Sequence, residues 1–408
     1  MRTVTEYTLR SKDIALVDFS IETEDIIRDG KSEKQETIHI DHVNDDKWML
    51  LPIPLAREVT GKSLASWLMS RRVPTSRQHA DALLQSINAA GSTTRFISAT
   101  LALSLNDSYW IEPRHANIKW DEVSLYDPAN RFDMRLAQTA FTGEMKKIYS
   151  GGRVTSPEYT TDGTLKKFWR RDDGTGQIEL IKGDDFFFGV VDRSQAVNEF
   201  FASEVAESMG LDYVTYSLDT VTTPAKSDVV CVCPLFTSEK TGFVTAHDFF
   251  AEQGIDTARD LSSRDAQKEM AKSFGEEAYG DMMIFDAVIG NRDRHLKNFG
   301  YLRDNDTGEY LRPAPIFDSG LSLLYGASGK CRADMAAYSE TVHGQHIKSL
   351  REYASYFLSV RHYEKLLALT RFEFREHPII KTSDSLITAM NEFIRVRAKK
   401  LIEHATSE

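Results

Sequence analysis

The run Asn291-Arg292-Asp293-Arg294-His295-Leu296-Lys297-Asn298-Phe299-Gly300, answered further on by Phe317-Asp318-Ser319-Gly320, limits this chain more than any other feature. An acid is followed five residues later by an amide, and a second acid then stands beside a small residue and a glycine. Phosphoryl transfer from a nucleotide needs groups of this kind. One carboxylate takes the proton of the attacking hydroxyl, while an amide oxygen and a second carboxylate hold the magnesium that bridges the phosphates. The pattern casts Asp293 as the base and Asn298 and Asp318 as metal ligands. A lone Asp-x-x-x-x-Asn arises by chance, so the setting matters. The run follows the apolar helix ending in Phe285-Asp-Ala-Val-Ile289 and precedes a strand-like Phe299-Gly-Tyr-Leu302. A turn at Asp304-Asn-Asp-Thr-Gly308 and then Pro315-Ile-Phe-Asp-Ser-Gly320 complete it. Two loops flanking a hairpin would bring Asn298 and Asp318 together.

Other residues of the loop admit two readings each. Arg294 or Lys297 can balance the carboxylates or touch phosphate. His295 can order the loop through hydrogen bonds or meet the reaction directly. At the nucleotide end, Asp162-Gly163-Thr164 lies between two strand-like runs, where backbone N–H groups can cover phosphates. A lone glycine turn is more often only a hairpin. Lys182 ends the strand Ile178-Glu-Leu-Ile-Lys182 and can reach the α and β phosphates, with Glu199 on the following helix to hold it. Cys231, Cys233 and Phe236 read most simply as core residues beside the junction of two lobes, which also sets Phe236 at the nucleotide's border.

A length of 408 residues allows two or three domains. Residues 1–145 form a mixed accessory region. In it Ile14–Ile21 reads as a strand, Trp48–Leu55 as a buried strand or loop stopped by prolines, and 63–70 and 76–90 as helices separated by Pro74. Tyr149-Ser-Gly-Gly-Arg153 is a flexible junction. Residues 146–240 carry strands at Phe168-Trp169, 178–182 and 229–233, with a helix over 193–209 stopped by Gly210. Residues 241–408 are mostly helical: 266–290, punctuated by Gly275 and Gly280, then a run from 348 to 404 interrupted near Pro378 and Ser383. The expected class is α+β, a β-rich lobe and a helical lobe meeting at a cleft.

Composition excludes several alternatives. A net charge of −11 is wrong for a chain that coats nucleic acid by itself. Three cysteines, Cys231, Cys233 and Cys331, make neither a disulfide framework nor a zinc site. The N-terminus is charged and no apolar stretch is long enough to span a bilayer, so a cytoplasmic protein without a membrane partner is expected.

Asn291–Asn298 together with Pro315–Gly320 resembles the catalytic and metal loops of HipA-like serine/threonine kinases, many of them toxins of bacterial toxin–antitoxin pairs. Ser156-Pro-Glu-Tyr-Thr-Thr-Asp-Gly-Thr164 stands where that family keeps its phosphate loop. Leu103–Trp110 and Val123–Tyr126 are similar to its uncharacterised branch. The resemblance implies a protein-kinase-like two-lobed fold over about 145–408, with ATP and magnesium as cofactors. It assigns Asp293 as base, Asn298 and Asp318 as magnesium ligands, and Lys182 to ATP phosphates. Gly163 and Thr164, with Lys167, would form the phosphate loop. It implies a protein substrate such as an aminoacyl-tRNA synthetase or other translation factor, and a small helix-turn-helix antitoxin through which any DNA contact would pass. Autophosphorylation in the phosphate loop would fall on Ser156, Thr160, Thr161 or Thr164. The Asp-Arg-His-x-x-Asn form also resembles phosphoinositide kinases, which keeps a small-molecule or lipid acceptor open, and a silent binding regulator is the third reading.

Overall fold

The structure, a computed structural model, describes residues 2–28, 31–87, 91–145, 154, 156–184, 194–223, 227–327, 333–377 and 380–406. The expected junction at 149–153, Cys331 and the break at Pro378 lie outside these. The chain divides into two compact units. The first takes Met1–Leu180, Thr237–Val244 and Leu302–Arg312; the second takes Ile181–Phe236, Thr245–Tyr301 and Pro313–Glu408. Both contain strands and helices, so the class is α+β as the sequence implies.

In the first unit, β1 (Arg2–Ser11), β2 (Ile14–Arg28), β3 (Lys31–Val43) and β4 (Tyr109–Pro113) form an antiparallel sheet in the order β3-β2-β1-β4. Its buried face is set by cross-strand pairs: Tyr7 opposite Phe19, their rings stacked at 5.5 Å, and Leu9 opposite both Val17 and Ile111. β2 runs well beyond the expected strand. Glu22, Glu24 and Asp25 interrupt the apolar alternation, yet pairing with β1 as far as Glu24 and with β3 to Arg28 keeps the ladder without it.

Helices α1 (Ile53–Ala56), α2 (Gly61–Ser70), α3 (Ala80–Ser86), α4 (Thr93–Thr100) and α5 (Met134–Thr142) cover the core of Leu64, Leu68, Leu83, Phe96 and Leu136. Two expectations fail here. Trp48–Leu55 is not extended: Asp45–Leu50 is a 3-10 helix, α1 follows, and Trp48 is 58% exposed. Pro52 caps α1 and Pro54 occupies its first turn, so the prolines start a helical turn rather than stop a strand. The helix expected from residue 76 begins only at Ala80, because His79 at φ +65° cannot continue a right-handed helix. Farther along, β5 (Lys167–Arg171) and β6 (Ile178–Lys182) are joined by a turn in which Asp172 N–H donates to Gln177 O at 2.8 Å. The last two residues of β6 belong to the second unit.

The second unit is built on α6 (Gln195–Ser208), the antiparallel pair β7 (Ser217–Thr222) and β8 (Ser227–Pro234), α7 (Ala246–Glu252), α8 (Arg264–Phe274) and α9 (Glu276–Ile289). After the acid loops come α10 (Met335–Thr341), α11 (Leu350–Phe357), α12 (Val360–Leu369) and α13 (Asp384–Thr406). The helix expected over 266–290 is two helices. Gly275, at φ +99°, ends α8 and opens α9, while Gly280 lies inside α9 with helical neighbours. An aromatic cluster of Phe249, Phe250, Phe274, Tyr279 and Phe299 fixes the far end of the acid loop; Phe274 meets Phe299 edge to face at 5.2 Å. Among the described residues no helix is long and apolar enough to cross a membrane.

Candidate active site

The end of β6 delivers Lys182 to two carboxylates. Its Nζ donates to Glu199 Oε1 at 2.6 Å and to Asp318 Oδ1 at 2.7 Å. Glu199 is presented by α6, whose first turn is held by the Ser194 hydroxyl accepting from Val197 N–H, with Asp184 bonding both Ser194 and the Ala196 N–H. The second Glu199 oxygen accepts from Ser319 N–H at 2.8 Å, so one side chain of α6 ties the lysine to the loop after Asp318. Beside it, Asn198 donates to the carbonyls of Gly320 and Ser322, both at 3.0 Å. For Lys182, burial alone would lower the pKa, but Asp318 and Glu199 together outweigh it and hold the ammonium charged well above its ordinary range.

Asp318 lies at φ +59°, a left-handed backbone that aspartate tolerates better than most residues. The residues before it are fixed by pairing with the 212–214 segment. Ile316 N–H donates to Asp212 O and Val214 N–H to Ile316 O. Asp318 N–H donates to Tyr216 Oη at 3.1 Å. Phe236 packs on Phe317, the ring centroids 5.3 Å apart.

The loop after α9, which carries Asp293, is anchored from beneath. Gly290 closes α9 at φ +66°, and a Cβ there would fall 2.8 Å from Val342 and 2.9 Å from Phe393. Arg294 points inward. It grips the buried Asp286 of α9 with Nε at 2.9 Å and Nη2 at 3.0 Å. Its Nη1 donates to both Asn298 O and Phe317 O at 2.7 Å. One guanidinium therefore joins the loop bearing Asn298 to the loop bearing Asp318. The Asn291 side-chain amide donates to Asp286 Oδ1 at 2.9 Å, and its Oδ1 accepts from Asp293 N–H at 3.0 Å.

The Asp293 carboxylate is half-buried. Burial first, then the nearby Asp318, raise its pKa; His295, Gln345 and Arg294 pull the other way. His295 Nε2 lies 4.0 Å from Asp293 Oδ2, beyond hydrogen-bond reach, and its Nδ1 accepts from Lys297 N–H within the loop. Asn298 donates its amide to Asp293 O at 3.0 Å, which directs the amide oxygen elsewhere, as a hard-cation ligand requires. Among the described residues no group of three or more His, Cys, Asp or Glu side chains could hold a metal by itself. The Asn298–Asp318 pair fits magnesium, which takes few protein ligands and keeps phosphate and water for the rest.

The structure thus brings Lys182, Glu199 and Asp318 together; Arg294 ties the Asn298 backbone to the loop of Asp318, and the Asn298 amide holds the Asp293 carbonyl. Gly163, Thr164 and Lys167 belong to the first unit. There Gly163 sits at φ +92°, and Lys167 Nζ donates to Asp162 O at 2.8 Å. Of the four hydroxyls noted around this turn, Ser156, Thr160 and Thr161 are buried and Thr164 is exposed. Thr160 donates to Leu103 O, and Thr161 both donates to Pro157 O and accepts from Trp169 Nε1. Sequence reasoning passed over Asp286, Asn291, Asn198 and Gln345. The pairing of Asp286 with Arg294 at a spacing of eight residues across a helix end was the one local signal available.

The chain is similar in sequence to known proteins. Over 136 residues the chain is 32% identical to the serine/threonine-protein kinase CtkA of Helicobacter pylori, a stretch covering 31% of this chain and 40% of that relative. The chain thus spans less than half the length of that relative. The solved structure of the H. pylori proinflammatory kinase CtkA aligns with 59% of this chain and 93% of its own, at 17% identity and a TM-score of 0.45. The model of the HipA-like C-terminal domain matches residues 162–393, which contain Lys182, Glu199, Asp293, Asn298 and Asp318 and make up more than half of the chain. By that match the protein belongs to the family of the HipA-like C-terminal domain.

Proposed function

We propose that the chain is an ATP- and magnesium-dependent kinase that phosphorylates a serine or threonine hydroxyl of a protein. The observation that carries this reading is the buried Lys182 held between Glu199 and Asp318. A lysine kept charged and aimed by a glutamate suits the phosphates of ATP, and the adjacent Asp318 suits their counter-ion. Magnesium, when bound by Asn298 and Asp318, supplies charge neutralisation on the transferring phosphates. The chain's own groups do the rest. Lys182 orients the nucleotide, Glu199 fixes Lys182, and Asp293 accepts the acceptor's proton. Gly163, Thr164 and Lys167 are proposed to cover the phosphates, and Phe236 to border the base.

The finer reading is a growth-inhibiting toxin acting on a translation factor such as an aminoacyl-tRNA synthetase, paired with a small helix-turn-helix antitoxin. It is supported by family resemblance alone. A lipid or small-molecule acceptor drew its support from the Arg294-His295 variant of the loop. Arg294 is buried against Asp286, which supports reading this arginine as scaffold and not as an acceptor contact.

The test is transfer of label from γ-labelled ATP by the purified chain, with and without cell lysate. Label in protein bands, reduced on the order of a thousandfold in Asp293→Asn, is expected. Label confined to small molecules refutes the protein acceptor, and no label at all refutes the kinase.

A further inference from the structure

Asp293 is held at three points. Its N–H donates to Asn291, its carbonyl accepts from Asn298, and its carboxylate Oδ1 accepts from Gln345 Nε2 at 3.0 Å. The first two bonds fix the backbone. Among the described residues only the third fixes the carboxylate, because His295 stands too far away. The terminal torsion of aspartate is broad, so a carboxylate on a half-exposed loop turns unless something engages one oxygen.

Gln345 comes from a segment 52 positions further along, and that segment is built to reach Asp293. Gly344 is buried, and a Cβ there would fall 2.6 Å from Tyr353 Oη and 3.6 Å from Asn291 O, so the close approach depends on glycine. Lys348 Nζ donates to the Gln345 carbonyl, and Ile347 and Leu350 are buried beyond it. Upstream, the buried Arg397 of α13 donates to Ser339 O at 2.5 Å, Val342 O at 3.0 Å and Ala287 O at 2.5 Å. One side chain thus links the end of α9, where the base loop starts, to the strand of chain that leads to Gln345.

We propose that Gln345 is a positioning residue for the base: its carboxamide occupies Oδ1 of Asp293 and so presents Oδ2 to the acceptor hydroxyl. The acceptor oxygen bonds to the γ-phosphorus as the bond from that phosphorus to the β–γ bridging oxygen breaks, releasing ADP. The acceptor proton passes to Oδ2. This rests on the kinase reading, and the test separates the two.

Transfer of label from γ-labelled MgATP to the proteins of a cell lysate, over a lysate-only control, and the affinity for MgATP are measured for the parent protein, Gln345→Leu and Gln345→Glu. Gln345 is exposed, so both variants are expected to fold, which thermal melting checks. Gln345→Leu lowers turnover about tenfold at unchanged MgATP affinity, since a misaimed base costs rate and not binding. Gln345→Glu, which removes the donor and adds a like charge, falls at least as far. Parent-like transfer in Gln345→Leu overturns the proposal and leaves the kinase reading standing; a parent that transfers no label overturns both. Independently of turnover, the Gln345 side-chain amide signal in a ¹H–¹⁵N spectrum, assigned by its loss in Gln345→Leu, shifts in Asp293→Ala. An unmoved signal overturns the proposal.

Discussion

At the scale of single residues, Lys182 is the cation of a buried cluster with Glu199 and Asp318, and the proposed chemistry runs through it. Replacing it by methionine leaves Glu199, 2% exposed, without its cation. Breaking a buried pair by removing one partner costs about 3 kcal/mol. The sign with pH follows from the charge left behind. A buried carboxylate without its cation has a folded pKa raised above the unfolded value, so its penalty is absent in acid and grows as pH rises. Lys182→Met is therefore expected to melt lower than the parent at neutral pH, with the gap narrowing in acid. Adding Glu199→Gln should close most of the gap without restoring transfer, which stays at least a hundredfold down. Equal melting temperatures across pH would refute the account. The acids of the loops, Lys182 and Glu199 were legible because each sits within a short pattern or on adjoining elements. Gln345 and Asn198 were not: each acts on a partner that the chain brings back from elsewhere. Asp286 lies only eight residues from Arg294, but a polar residue in an apolar helix carries no mark that it turns to the loop after the helix.

At the scale of elements, the end of α9 decides where the base loop begins. Gly290 is needed twice, for its φ of +66° and for the lack of room against Val342 and Phe393. Gly290→Ala is expected to lose about 2 kcal/mol or more in a urea titration, from left-handed strain plus overpacking. Activity should fall with it, because Asn291 and Asp293 follow directly. A variant as stable as the parent would show that the helix end yields. The apolar period marked α9 well, whereas β3 and the outer half of β2 escaped notice. The outer half of β2 is charged, and in β3 the alternation is confined to Ile38-His39-Ile40 after a polar run, so pairing along the hairpin is what makes them strands.

At the scale of the whole molecule, the first unit holds a buried acid with a measurable signature. Glu158 is 1% exposed, accepts from Trp169 N–H at 2.7 Å, and faces Arg77 Nη2 at a long 3.5 Å. Burial, the largest influence, pushes its pKa from 4.5 up to about 7, against the pull of Arg77, the Trp169 bond and Lys167. Below the unfolded value both states are protonated and the contribution is whole. Between there and the folded value the folded protein holds a proton that the unfolded chain releases, so stability declines as pH rises, and above the folded value nothing further is lost. The span corresponds to roughly 3 kcal/mol. Amide exchange in Pro157–Arg171, followed from pH 5 to pH 8 after correction for intrinsic rates, should show that decline in the parent. Glu158→Gln, which cannot ionise and keeps an acceptor for Trp169, should be flat over the same range. A parent as flat as the variant would place the Glu158 proton outside the folding balance, and the long contact with Arg77 would then have to be a fully formed ion pair in solution.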